Sequence, residues 1–81
     1  MNNKVLRKSN YNNYSFIKMS KINEARLLLE NGNLDKAEAI YRALIKSGEN
    51  DIAIYSNLAI ICGKTNRNDE KIKLLKYIIS K

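Results

Sequence analysis

From about residue 17 onward, apolar residues recur at steps of three and four, the spacing that lines up side chains on one face of a helix. The first stripe is Ile22, Ala25, Leu28 and Leu29. Asn31-Gly32 ends it, since both residue types tolerate the left-handed backbone of a helix stop. Asn33 is then placed to cap a second helix, whose stripe is Ala37, Tyr41, Leu44 and Ile45 and whose stop is Ser47-Gly48. Asn50 or Asp51 caps a third, with stripe Tyr55, Leu58, Ala59 and Cys62, ending between Gly63 and Asn66. A fourth begins near Asn68 or Asp69 and carries Ile72, Leu74, Leu75, Ile78 and Ile79. The pattern predicts an all-α fold of four helices joined by short turns, so that neighbours run antiparallel.

Residues 1–16 show no sustained helical period, and they are rich in Asn, Lys, Ser and Tyr. They read as a basic, flexible leader, with Tyr11, Tyr14 and Phe16 available to fold back onto the domain. The helical domain is expected over 17–81, divided into units at 17–50 and 51–81, the second of them truncated.

A comparison of the chain with itself supports that division. Shifted by 34 residues, Asn23 falls on Asn57, Ala25 on Ala59, Leu27 on Ile61 and Asp35 on Asp69. Ile40 falls on Leu74, Tyr41 on Leu75, Arg42 on Lys76, Leu44 on Ile78 and Ile45 on Ile79. The helix stops also coincide, Gly32 on Asn66. These matches keep helix phase and turn position together. A 34-residue helix–turn–helix unit has the length of a tetratricopeptide repeat. Tyr55 is followed at +3 and +4 by Leu58 and Ala59, and Gly32 precedes Ala37 by five and Tyr41 by nine. In these spacings the chain resembles the tetratricopeptide repeat family. It departs from the family pattern at Lys21, where an aromatic is expected, at Lys71, where a small residue is expected, and at Asn66 in place of Gly. It also lacks the proline that ends many repeats.

That resemblance implies a protein-interaction module or scaffold fragment. The first helix of each repeat would line a groove for a peptide or partner helix. By position in the repeat, the groove residues are Asn23, Arg26 and Glu30 from the first unit, beside Ile22 and Leu29. From the second they are Asn57, Ile60 and Lys64, beside Ser56. Asn23 and Asn57 would point the same way, as paired amides able to hydrogen-bond an extended backbone. The full carboxylate-clamping set of some family members is not reproduced, as only Asn57 matches it.

The last helix has a second expected role. Ile72, Leu75 and Ile79 form one stripe, expected to pack inward. Leu74 and Ile78, bordered by Tyr77, form another, expected to stand exposed as a C-terminal edge for a second copy, another protein or further repeats. Ala37 is expected at a close helix crossing, where only a small side chain fits.

Composition narrows the chemistry. Histidine is absent and Cys62 is the single cysteine, so neither the commonest general base nor a cysteine pair for zinc is available. No metal, cofactor or catalytic residue is expected, and the chain is not read as an enzyme. Cys62 lies in an apolar run and reads as a small core residue. No apolar stretch reaches the length of a membrane span and there is no signal-peptide core, so cytoplasmic residence without membrane contact is expected. The net charge of +7 is concentrated at the two ends. Residues 1–21 hold five bases and no acid, 22–51 four bases against six acids, and 52–81 six bases against two acids. The alternative function is therefore non-specific electrostatic binding of nucleic acid through the leader and the basic last helix. Against it, the bases of that helix are interleaved with Ile and Leu, and no aromatic platform for bases is evident.

Overall fold

In the computed structural model the backbone is described for residues 3–81 and the side chains for residues 17–81. The chain forms four helices: α1 (Asn3–Glu30), α2 (Leu34–Lys46), α3 (Ile52–Lys64) and α4 (Asn68–Ile79). The last three begin and end within a residue or two of the positions predicted from the stripes. The first does not. It starts at Asn3 rather than near residue 17, and neither proline nor glycine precedes Gly32 to interrupt it. Folding back of Tyr11, Tyr14 and Phe16 concerns side chains outside the described residues.

Gly32, Gly48 and Asn66 have positive φ, at 84°, 98° and 61°. After each of them the next N–H reaches back five residues to close the helix end. Asn33 donates to the Leu28 carbonyl at 2.8 Å, Glu49 to Leu44 at 3.0 Å and Arg67 to Cys62 at 2.8 Å. The first and last of these bonds are one repeat apart at both ends, so the two units close with the same turn. Asn66 does in the second what Gly32 does in the first, being one of the few side-chain types that enter the left-handed region readily.

The caps follow the sequence in part. Asp51 caps α3, its Oδ1 accepting from the Ala53 N–H at 3.0 Å. Asn33 stands at the cap position of α2, but its side chain makes no cap bond. The cap position of α4 is Arg67, so the helix begins at Asn68, within the start expected from the sequence. Asp69 and Glu70 sit in the first turn, where negative charge favours the helix dipole.

Each helix packs on the next, and α1 also meets α3. The buried residues are Ala25, Ala37, Tyr41, Leu44, Ile54, Leu58, Ala59, Ile61 and Cys62. Five of the nine come from α3, which packs against all three of the other helices. A helix so enclosed hides more than one stripe, which is why Ile54 and Ile61 are buried although they lie off the predicted one. Full burial of such a side chain stabilises by roughly 1.5–3 kcal/mol, so α3 organises the core. Ala37 has no exposed surface, as expected of a close crossing, and Cys62 is a buried core residue.

The two stripes of α4 are exchanged relative to expectation. Leu74 packs against the core, Tyr77 and Ile78 are half-buried, and Ile72, Leu75 and Ile79 are 48%, 39% and 82% exposed. Among the described residues the backbone of α4 packs against α3 alone, with an ion pair reaching α2, so a single apolar face suffices. Glu70, Leu74, Tyr77 and Ile78 share that face at i, i+4, i+7 and i+8. It is held by Tyr77, whose ring stacks on Tyr55 with centroids 4.4 Å apart, and by Glu70, which pairs with Arg42 at 2.7 Å. Leu74, Tyr77 and Ile78 therefore tie α4 to α3 and do not form the exposed edge.

Candidate functional site

On α1, Asn23, Arg26 and Glu30 are all exposed. Arg26 donates to Glu30 at 3.1 Å across one helical turn, a pair of the kind that contributes only a few tenths of a kcal/mol. On α3, Ile60 is 47% exposed and Lys64 is exposed. These five side chains are accessible.

Asn57 does not. It is half-buried, and its amide Nδ2 donates to the Tyr41 hydroxyl at 2.9 Å. The expected twin amides are therefore not equivalent: Asn23 stands in solvent while Asn57 satisfies a phenol whose residue has no exposed surface. A buried hydroxyl without a partner would cost about 1–3 kcal/mol, so Asn57 serves the α2–α3 contact. Burial raises the Tyr41 phenol above its ordinary pKa, against the opposing effect of the Asn57 bond. The charges of Arg26 and Glu30 also act on that hydroxyl. Of the expected groove residues, Asn57 is the one that bonds the phenolic end of Tyr41.

A groove of about 510 Å³ runs between α3 and α4. Its lining includes Ala59, Ile60, Gly63, Lys64, Lys71 and Leu75. Ile60 and Lys64, with the neighbouring Ser56, belong to this lining. Asn23, Arg26, Glu30 and Asn57 do not. A second groove, of about 370 Å³, lies between α1 and α2 and includes Lys21, Ala39, Ile40 and Ala43.

An ion network escaped the sequence reading. Arg67 grips Glu38 with two hydrogen bonds of 2.7 Å and donates through Nε to Thr65 at 3.0 Å. Arg42 bonds the same Glu38 at 2.8 Å and Glu70 at 2.7 Å. Hydrogen bonds from Arg67 above all, with Arg42 adding to them, hold the Glu38 carboxyl down at about 2, against a smaller opposing effect of burial. The Glu38–Arg42 half was legible as an i, i+4 pair. The Arg67 half spans two helices and a turn and left no periodic signal. The network joins α2 to the α3–α4 turn and to the start of α4, so it fixes one repeat against the other.

No group of three or more potential metal ligands occurs among the described residues, and none of their helices is long and apolar enough to cross a membrane. No protein-family model, no curated protein and no solved structure matches the chain.

Proposed function

We propose that this chain is a helical-repeat protein-interaction module of tetratricopeptide type, binding a peptide or helix of a protein partner along α1 and α3 and the groove beside α4. The observation that supports the reading is the repeated helix pair with an open apolar groove between α3 and α4. Two units with the same 34-residue register and the same turn hydrogen bonds stack through α3 and leave an apolar surface at α3–α4. Stacked helix pairs of this kind present extended surfaces that recognise other proteins by shape and by a few polar contacts.

The test is a selection from a random peptide library against the whole 81-residue chain, with each ligand mapped by amide chemical shifts. Ligands tighter than about 0.1 mM that perturb Asn23, Arg26, Ile60 or Lys64 are the expected result. A library that yields no such ligand, in helical or extended format, overturns the reading.

A further inference from the structure

The repeat register gives each residue of the first helix pair a counterpart in the second. Ala25 corresponds to Ala59, Ala37 to Lys71 and Tyr41 to Leu75. In the first pair Ala25, Ala37 and Tyr41 have no exposed surface and share one core cluster with α3. The α3 side chains in that cluster are Ile54, Leu58 and Ile61, an i, i+4, i+7 stripe. In the second pair the counterpart surface is the open groove between α3 and α4, where Leu75 is 39% exposed. The same chain therefore shows the seat twice, once filled by a helix and once empty of any described residue.

We propose that the open seat takes an amphipathic helix of a partner protein, one with acidic residues beside its apolar stripe. This rests on the protein-interaction reading and adds the site and the chemistry of the ligand. The helical form follows from the filled seat. The acid follows from what replaces Ala37. Lys71 stands there, and its stem lies along Gly63, so that a Cβ on Gly63 would come within 3.3 Å of Lys71 Cδ. Gly63 leaves room for that stem, and Lys64 adds a second ammonium to the groove lining. Neither lysine has an ion-pair partner among the described residues. A purely apolar helix laid over them would strip water from two ammonium groups without compensation. A helix with Glu or Asp beside its stripe would answer them with charge-assisted hydrogen bonds.

A second copy offering α1 fits less well. At the positions corresponding to Ile54, Leu58 and Ile61 it carries Ser20, Glu24 and Leu27, a single apolar residue of three.

The experiment uses the full chain and two fluorescein-labelled synthetic helices. Both carry Ile, Leu and Ile at i, i+4 and i+7. One has Glu beside the stripe and the other Lys. Fluorescence anisotropy is expected to give roughly tenfold or greater preference for the Glu peptide. Lys64→Glu/Lys71→Glu is expected to reverse the preference, and Leu75→Asp to weaken both peptides. Circular dichroism checks that each variant folds, and Lys64→Gln/Lys71→Gln gives a milder second variant that should abolish the preference without reversing it. Shifts of the Ala59 and Gly63 amides should locate the peptide. Equal affinities for the two peptides, or no binding of either, overturn the proposal. So do shifts confined to Asn23 and Arg26, which would leave the broader interaction reading standing. Self-association of the chain alone that Lys71→Glu abolishes would overturn it in favour of a second copy.

Discussion

At Glu38 one carboxylate meets two guanidinium groups, and its ionisation becomes part of the fold. Its pKa of about 2 lies below the ordinary 4.5, so between those values the unfolded chain binds more protons than the folded one. The stabilisation is complete above about pH 4.5 and is lost as pH falls toward 2. Arg42 and Arg67 are both more than a third exposed, so solvent screening holds the contribution to the order of 1–2 kcal/mol. Urea unfolding of wild type is expected to show this acid loss, and Glu38→Gln to be less stable at neutral pH and flatter in that window. Identical pH slopes for the two proteins would remove the network from the account. Asn57 gives a second test at the same scale. Asn57→Ala should destabilise by about 1 kcal/mol because it strands the Tyr41 hydroxyl. Tyr41→Phe should cost a similar amount, and the double variant little more than either alone. Additive losses would mean the 2.9 Å bond does not couple the two residues.

The elements were legible where a local cause sets them. Helix phase, the stops at Gly32 and Gly48 and the cap at Asp51 all follow from residues within a turn of where they act. The start of α1 was not legible, because a polar stretch without breakers leaves no mark of where a helix begins. The orientation of α4 was not legible either. Its five apolar residues offer two faces, and the choice depends on Tyr55, Arg42 and Arg67, which belong to other elements. The role of Asn57 was not legible for a related reason: its counterpart Asn23 is exposed, and only the stacking of α3 on Tyr41 separates their roles. Two predictions belong to this scale. Gly32 has a φ of 84° and open space around it, so Gly32→Ala should cost about 1 kcal/mol through backbone strain alone. Gly32→Asn should cost less, since Asn66 already holds the equivalent turn at 61°; thermal melts that rank the two variants the other way would contradict the shared-turn argument. Ala37 is fully buried between packed helices, so Ala37→Leu should overpack the crossing and cost about 1–3 kcal/mol. An unchanged unfolding midpoint would show that α1 and α2 can separate freely there.

Over the whole molecule, charge is divided by use. The acids of the middle segment are largely engaged: Glu24, Glu30, Glu38 and Glu49 all have ion-pair partners. Lys64, Lys71, Lys73, Lys76 and Lys81 have none among the described residues. That surplus attracts polyanions in general, and with the basic leader it underlies the alternative reading as a nucleic-acid binder. Electrostatics alone gives weak binding that falls steeply with salt, by roughly 0.9 log units per neutralised phosphate per log unit of salt. Stacking of bases on aromatic side chains would be needed to hold a single strand at higher salt. Tyr55 and Tyr77 are the aromatics nearest those lysines in sequence, and they stack on each other, with Lys81 over Tyr77 at 4.8 Å. Each ring therefore already has a partner. Random duplex and single-stranded DNA are both expected to bind weakly near 50 mM salt and to dissociate near 200 mM, with similar salt slopes. The Glu-flanked helix should lose less over that range, because much of its contact is the apolar seat at Ala59 and Leu75. Fluorescence anisotropy across the titration separates the two. Single-stranded DNA that stays bound with micromolar affinity near 150 mM, while the helix does not, would favour the nucleic-acid reading, on the basic face of α4, over the proposed groove.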